Sequence, residues 1–277
     1  MRFSALFFST ALLICSACNV NNNVKEDASL ATYFNDNQVT GCFAIMNNAT
    51  GQFTTYNLAR YRDSSYSPAS TFKIINSLIG LQTGVISNDS MVIKWDRVTR
   101  DIQEWNKDLS MYEAFQVSAL PYYQEVARRI GKDTMTFWLD SLKYGLRSEK
   151  DSFRIRTAVD SFWLDNSLKI SADAQVWLVK MLYFKQLPFR ASVQEQVKRM
   201  MIKENNTIYQ LAYKTGWGKT DSGNELGWII GWIEENRHVY FFAMNLESSD
   251  HTIDMKRVRE KILKNILTKQ GFFQGKM

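Results

Sequence analysis

Strand-like runs stand at both ends of this chain and helical periodicity fills its middle, and that order limits the fold more than any other feature. Residues 41–46 and 52–57 are apolar, strand-forming runs around the turn-rich connector Asn47-Asn48-Ala49-Thr50-Gly51, the pattern of a hairpin. Helical spacing takes over in 70–81, 109–130 and 171–201, with Gly131 and the Pro188 region as breaks. Strand character returns in 207–214, 226–234 and 238–246, and a basic amphipathic helix over 252–267 closes the chain. The order predicts an α+β (mixed α/β) fold: an antiparallel sheet with strands from both chain ends, covered by the terminal helix, and a helical lobe from the middle. With 277 residues and 45% apolar content, the chain has enough material for one large core or two packed subdomains.

The first eighteen residues stand apart. Arg2 precedes an uncharged apolar run from Phe3 to Cys15, followed by Ser16-Ala17-Cys18. That is the layout of an export signal, and the run is shorter than the roughly 20 residues a bilayer span needs. Residues 1–17 are therefore expected to be a signal peptide and the protein to be exported to the periplasm. Ser16-Ala17-Cys18 resembles a lipoprotein box with Cys18 as the lipidated residue, although Cys15 sits where that box usually has leucine; ordinary cleavage near Ala17 is the other route. Residues 18–28, polar and without periodicity, are expected to be a flexible tether, and 29–277 the folded domain.

Once Cys15 and Cys18 are assigned to the leader, Cys42 is the cysteine left, so no internal disulfide is expected. Its setting, Gly41-Cys42-Phe43-Ala44-Ile45, predicts a buried strand residue. Two histidines, His238 and His251, and one thiol do not make a zinc site, and no metal is expected. The net charge of +6 is modest and has no long basic run, which argues against a nucleic-acid partner.

The chemistry points elsewhere. Pro68-Ala69-Ser70-Thr71-Phe72-Lys73 places a serine three residues before a lysine at a helix start, so the two side chains share a face. The run after it is apolar enough for burial, which lowers a lysine pKa and frees an amine to act as base. Ser-x-x-Lys alone arises by chance about once in a chain of this length. Lys214-Thr215-Gly216, at the end of a predicted strand, supplies a cation and a hydroxyl for a substrate carboxylate and a glycine that permits close approach. Between them, Ser118-Ala119-Leu120 offers a hydroxyl able to relay a proton.

With these motifs the chain resembles a class D β-lactamase, the oxacillinase type, over nearly its whole mature length. Trp95-Asp96, Trp105-Asn106-Lys107-Asp108, Ala127-Arg128-Arg129-Ile130-Gly131, Phe162-Trp163-Leu164 and Gly227-Trp228-Ile229-Ile230-Gly231-Trp232 carry the same resemblance. It implies a β-lactamase/transpeptidase-like fold and hydrolysis of β-lactams, with Ser70 as nucleophile and Lys73 as an N-carboxylated lysine made with carbon dioxide. It also implies Trp163 as hydrogen-bond donor to that group, and backbone N–H groups of Ser70 and Trp217 as oxyanion hole. Lys214, Thr215 and Gly216 are expected to bind substrate, joined by a carboxylate-binding arginine that counting from Asn245 places at Arg257, with Lys256 and Arg259 close by. The chain departs from the family's pattern at Leu120, where valine is usual, and at Tyr144-Gly145-Leu146, where asparagine usually ends the triplet. A D,D-peptidase or transpeptidase, or a β-lactam sensor domain, would acylate through the same three motifs. Oligomeric state and substrate range are not legible in the sequence.

Overall fold

The computed structural model describes residues 23–145 and 153–277. The N-terminal hairpin forms as expected, β2 (Thr40–Asn47) pairing antiparallel with β3 (Phe53–Tyr56), but a further strand, β1 (Val24–Glu26), adds to it in parallel. This corrects the tether reading for 24–26, because Val24, Lys25 and Glu26 are in register with Phe53, Thr54 and Thr55, while 18–22 lie outside the described residues. The short helix α1 (Ala31–Asn35) precedes β2, and α2 (Leu58–Asp63) with the two-residue β4 (Ser65–Tyr66) follows β3.

The helical lobe begins with α3 (Lys73–Gln82), entered through a 3-10 turn at Ala69–Phe72. After the short ribbon β5 (Val92–Ile93) and β6 (Leu109–Ser110) come α4 (Met111–Gln116), α5 (Leu120–Ile130) and α6 (Lys132–Leu142). The stretch 109–130, expected as one helix, is thus a strand residue pair and two helices. Ser110 caps α4 in a capping box with Glu113, Ser118 takes φ 53, and Pro121 sits in the first turn of α5, where its missing N–H costs nothing. Beyond β7 (Ile170–Ser171), which pairs with β4, α7 (Ala172–Tyr183) and α8 (Ala191–Met201) complete the lobe.

The chain then returns to the sheet with β8 (Ile202–Asn205), β9 (Tyr209–Lys219), β10 (Glu225–Glu235) and β11 (His238–Ser248), and ends in α9 (Met255–Lys269). The strand order is β1-β3-β2-β11-β10-β9-β8, so β2 from the start pairs with β11 from the end. Both faces are covered, which is why these strands are continuous apolar runs. Ala44, Met46, Trp228, Trp232 and Phe241 face the lobe, while Phe43, Ile45, Ile229, Ile233 and Phe242 face α9. From α9 itself Met255, Ile262, Leu263, Ile266 and Leu267 enter that second core at helical spacing. Cys42 is fully buried in β2, as its setting predicted. Among the described residues no helix is long and apolar enough to cross a membrane.

Candidate active site

The sequence places Ser70 and Lys73 three residues apart, and the structure brings their reactive atoms together by winding that turn tightly. In a 3-10 turn residues i and i+3 eclipse each other; Lys73 Nζ lies 2.6 Å from Ser70 Oγ. The turn is held from both sides. Ala69, at φ 47, donates its N–H to Trp163 O at 3.1 Å, and Thr71 donates its N–H to Pro68 O at 3.1 Å. The Ser70 N–H between them has no backbone acceptor among the described residues. Gln175 on α7, fully buried, donates to Thr71 Oγ1 at 2.8 Å and buttresses the turn from below.

From Lys73 to Leu81 every residue of α3 is buried. Burial lowers the Lys73 ammonium pKa to about 7, because the charged form loses its hydration and no carboxylate replaces it. Ser118 occupies the corner between α4 and α5, and its left-handed backbone points the hydroxyl inward, 3.2 Å from Lys73 Nζ. On the other side Lys214 Nζ donates to Ser118 Oγ at 2.9 Å and to Thr215 O at 3.1 Å. Lys214 is also buried, and its pKa is pushed well down by desolvation and then by the charges of Lys73, Lys203 and Arg259. Four side chains from three distant parts of the chain therefore form one hydroxyl and amine relay, Ser70–Lys73–Ser118–Lys214.

Lys214-Thr215-Gly216 lies inside β9, which runs on to Lys219, and does not end it as expected. Gly216 gives room for close packing there, since a Cβ would sit tightly at 3.0 Å from Pro68 O and 3.3 Å from Thr71 Cγ2. Trp217 follows with its side chain about half exposed, its indole N–H donating to Glu225 at 2.8 Å. Trp163 is fully buried, stacked on Phe72 with ring centroids 5.1 Å apart, and its Nε1 has no partner among the described residues. Tyr144 is buried against Phe72. Leu146 and Cys18 lie outside the described residues.

Arg257 is not brought to the site: it stands exposed on α9, its backbone N–H capped by Asp254. The arginine that reaches the Lys-Thr-Gly strand is Arg259, whose guanidinium donates to Gly216 O at 2.6 Å. Burial pushes its pKa down to about 10, against the opposing pull of Glu260. The signal was in the helix period. Arg259 falls on the stripe of Met255, Ile262 and Ile266, whereas Arg257 is about 200° away from it on a helix of 3.6 residues per turn. Gln175 and Glu225 were not singled out in the sequence, and nothing local marks them.

A half-buried serine at hydrogen-bond distance from an amine whose pKa burial has lowered to about 7, next to a hydroxyl and a second amine, is equipped for acyl transfer. Comparison with known proteins agrees. Residues 36–268 match the penicillin binding protein transpeptidase domain. The chain is 36% identical to β-lactamase OXA-48 of Klebsiella pneumoniae over 270 residues, covering 98% of this chain and 97% of that one. It is 34% identical to β-lactamase OXA-19 of Pseudomonas aeruginosa over 277 residues, covering 99% and 100%. Among solved structures, FUS-1 (OXA-85), a class D β-lactamase from Fusobacterium nucleatum subsp. polymorphum, superposes with a TM-score of 0.82 at 33% identity, covering 90% of this chain and 100% of that one.

Proposed function

The chain belongs to the class D serine β-lactamases and hydrolyses the β-lactam ring of penicillins and related antibiotics, and we propose that it does so through an acyl-enzyme on Ser70. The observation that carries the mechanism is the relay of 2.6, 3.2 and 2.9 Å linking Ser70, Lys73, Ser118 and Lys214. Ser70 Oγ attacks the lactam carbonyl carbon and passes its proton to the base at Lys73. The developing oxyanion accepts from the backbone N–H groups of Ser70 and Trp217. As the carbon–nitrogen bond breaks, the nitrogen takes a proton through the Ser118 hydroxyl, replenished from the relay. Lys214, Thr215 and the arginine beneath Gly216 hold the substrate carboxylate. Water then attacks the Ser70 ester, regenerating the hydroxyl and releasing the ring-opened acid.

Trp163 supports a carboxylated Lys73. An indole N–H buried without an acceptor among the described residues costs free energy, and its ring stacks on Phe72, the residue next to Lys73. A carbamate made there from carbon dioxide would accept that N–H and be a stronger proton acceptor than an amine. We also propose that residues 1–17 direct export to the periplasm and that Cys18 carries the lipid.

Purified protein mixed with a chromogenic cephalosporin tests the activity: many turnovers per molecule are expected. A single stoichiometric burst would instead support a sensor or peptidase, and an adduct that persists in Ser70→Ala would remove Ser70 as nucleophile.

A further inference from the structure

Glu225, at the start of β10, is a carboxylate with only 5% of its surface exposed, yet it takes no part in the relay. Burying a carboxylate is costly unless donors surround it, and here three do. Trp217 Nε1–H donates to Oε2 at 2.8 Å, His251 Nδ1 lies 3.0 Å from Oε1, and Lys219 Nζ lies 3.5 Å from Oε1. The register explains the arrangement. Lys219 is directly opposite Glu225, and Trp217 is opposite Gly227, two residues further along the same face, so the indole meets Glu225 on the diagonal. Gly227 itself offers the ring no side chain.

The direction of this bond matters. β8 pairs with β9 only as far as Ala212 among the described residues, so from Tyr213 onward β9 has β10 on one side and a free edge on the other. On the reading above, substrate lies along that free edge, beside Lys214, Thr215 and the Trp217 N–H. Glu225 is on the β10 side and draws the indole back from the edge.

We propose that Glu225 is a positioning residue which, braced by His251 and Lys219, pins the Trp217 ring clear of the cleft and so sets which β-lactams enter. The affected part of the substrate is the substituent next to its carboxylate. Penicillins carry only methyl groups there, whereas cephalosporins carry a variable group on the ring carbon adjacent to the carboxylate-bearing one. Releasing the ring lets it cross the free edge and obstruct the bulkier substrates.

The test rests on the proposed function and separates from it. Steady-state kcat and KM are measured with benzylpenicillin and with a cephalosporin bearing a bulky substituent at that position. The proteins are wild type, Glu225→Gln, Glu225→Ala, Trp217→Phe and the Trp217→Phe/Glu225→Ala double variant. Glu225→Ala is expected to raise the cephalosporin KM at least about five-fold, as for loss of a hydrogen bond to a charged group, with a smaller change for benzylpenicillin and kcat within about two-fold. In the Trp217→Phe background, which has no indole N–H, the same substitution is expected to do nothing further. A KM change that persists in that background shows that Glu225 acts on the strands and not through Trp217, and overturns the proposal. So does an unchanged KM in both Glu225 variants. Should Glu225→Ala fail to fold, Glu225→Leu, which also lacks an acceptor for the indole but keeps the side-chain volume, carries the comparison. A wild type that turns over neither substrate defeats the functional reading alone; the indole N–H NMR signal of Trp217, which loses its exchange protection in Glu225→Ala if pinned, then decides the pin by itself.

Discussion

On the proposed mechanism, Lys73 can serve as base because burial keeps water from it. With its pKa lowered to about 7 by burial, the amine is neutral above that pH and protonated below it. Protonation removes the lone pair that, on the proposed mechanism, takes the Ser70 proton and reacts with carbon dioxide. Turnover in degassed buffer is therefore expected to fall as pH drops through about 7, and bicarbonate to restore it on the neutral side. Trp163→Phe keeps the stack on Phe72 but removes the indole donor, so its activity is expected to depend more steeply on bicarbonate. Carbon-13 NMR with labelled bicarbonate reads the lysine carbamate in both proteins; indifference to bicarbonate together with no signal sinks the carbamate and leaves a plain amine. At the other end of the site, Arg259→Ala is expected to raise KM on the order of ten-fold with kcat much less affected, the cost of losing one charge-assisted partner, and to do so more than Arg257→Ala. Steady-state kinetics on one penicillin settles the order. Counting along the sequence found the neighbourhood of this arginine but not the residue, because only the packed helix shows that 259 shares the stripe of Met255 and Ile262 against the sheet.

At the scale of elements, the site is assembled from the ends and corners of regular structure. Ser118 stands in the break between α4 and α5 at φ 53, a conformation that disfavours side chains other than glycine, and Ala69 beside the nucleophile is similar at φ 47. Ser118→Gly separates geometry from chemistry. Glycine adopts this backbone without strain, so thermal stability is expected to hold to within about 1 kcal/mol, while turnover drops sharply with the hydroxyl gone. A melting curve with paired kinetics checks it, and a glycine variant that still turns over at the wild-type rate would exclude Ser118 from the relay. The same corner explains what the sequence concealed. Residues 109–130 have continuous helical spacing, and the apolar positions of α4 and α5 both point into one core, so periodicity runs through a break that only the capping box at Ser110 and the proline at 121 betray. β9 outruns its apolar signal for a related reason: Gly216, Trp217, Gly218 and Lys219 are a weak strand sequence, kept extended by pairing with β10. The motifs, by contrast, were legible because Ser70, Lys73 and Lys214 are defined by residue type and short spacing, which packing does not alter.

On the scale of the whole molecule, the sheet closes the chain on itself: β2 lies beside β11, and α9 packs behind both halves. This joins the Ser70 turn, which follows the first strands, to Lys214 on β9 and Arg259 on α9, with no covalent cross-link among the described residues. Cys42 is the free thiol within the described residues, and burial pushes its pKa up to about 12, so it stays protonated and inert. The fold therefore rests on its two cores, and β1 ties the start of the described chain to β3. That attachment bears on where the enzyme works. If Cys18 is the first residue of the mature protein, only a few residues separate the lipid from β1, since an extended chain spans at most about 3.5 Å per residue; the domain would be held close to the membrane surface instead of ranging through the periplasm. A single acyl chain binds a bilayer only marginally, whereas a lipoprotein terminus with more than one chain stays bound. The full-length protein is accordingly expected in the membrane fraction and a Cys18→Ala variant in the soluble fraction, both fully active once solubilised because the site lies wholly within the folded domain. Mass spectrometry of the mature terminus decides the matter: a lipidated Cys18 supports the anchor, and an unmodified Cys18 or Asn19 terminus on a soluble enzyme refutes it.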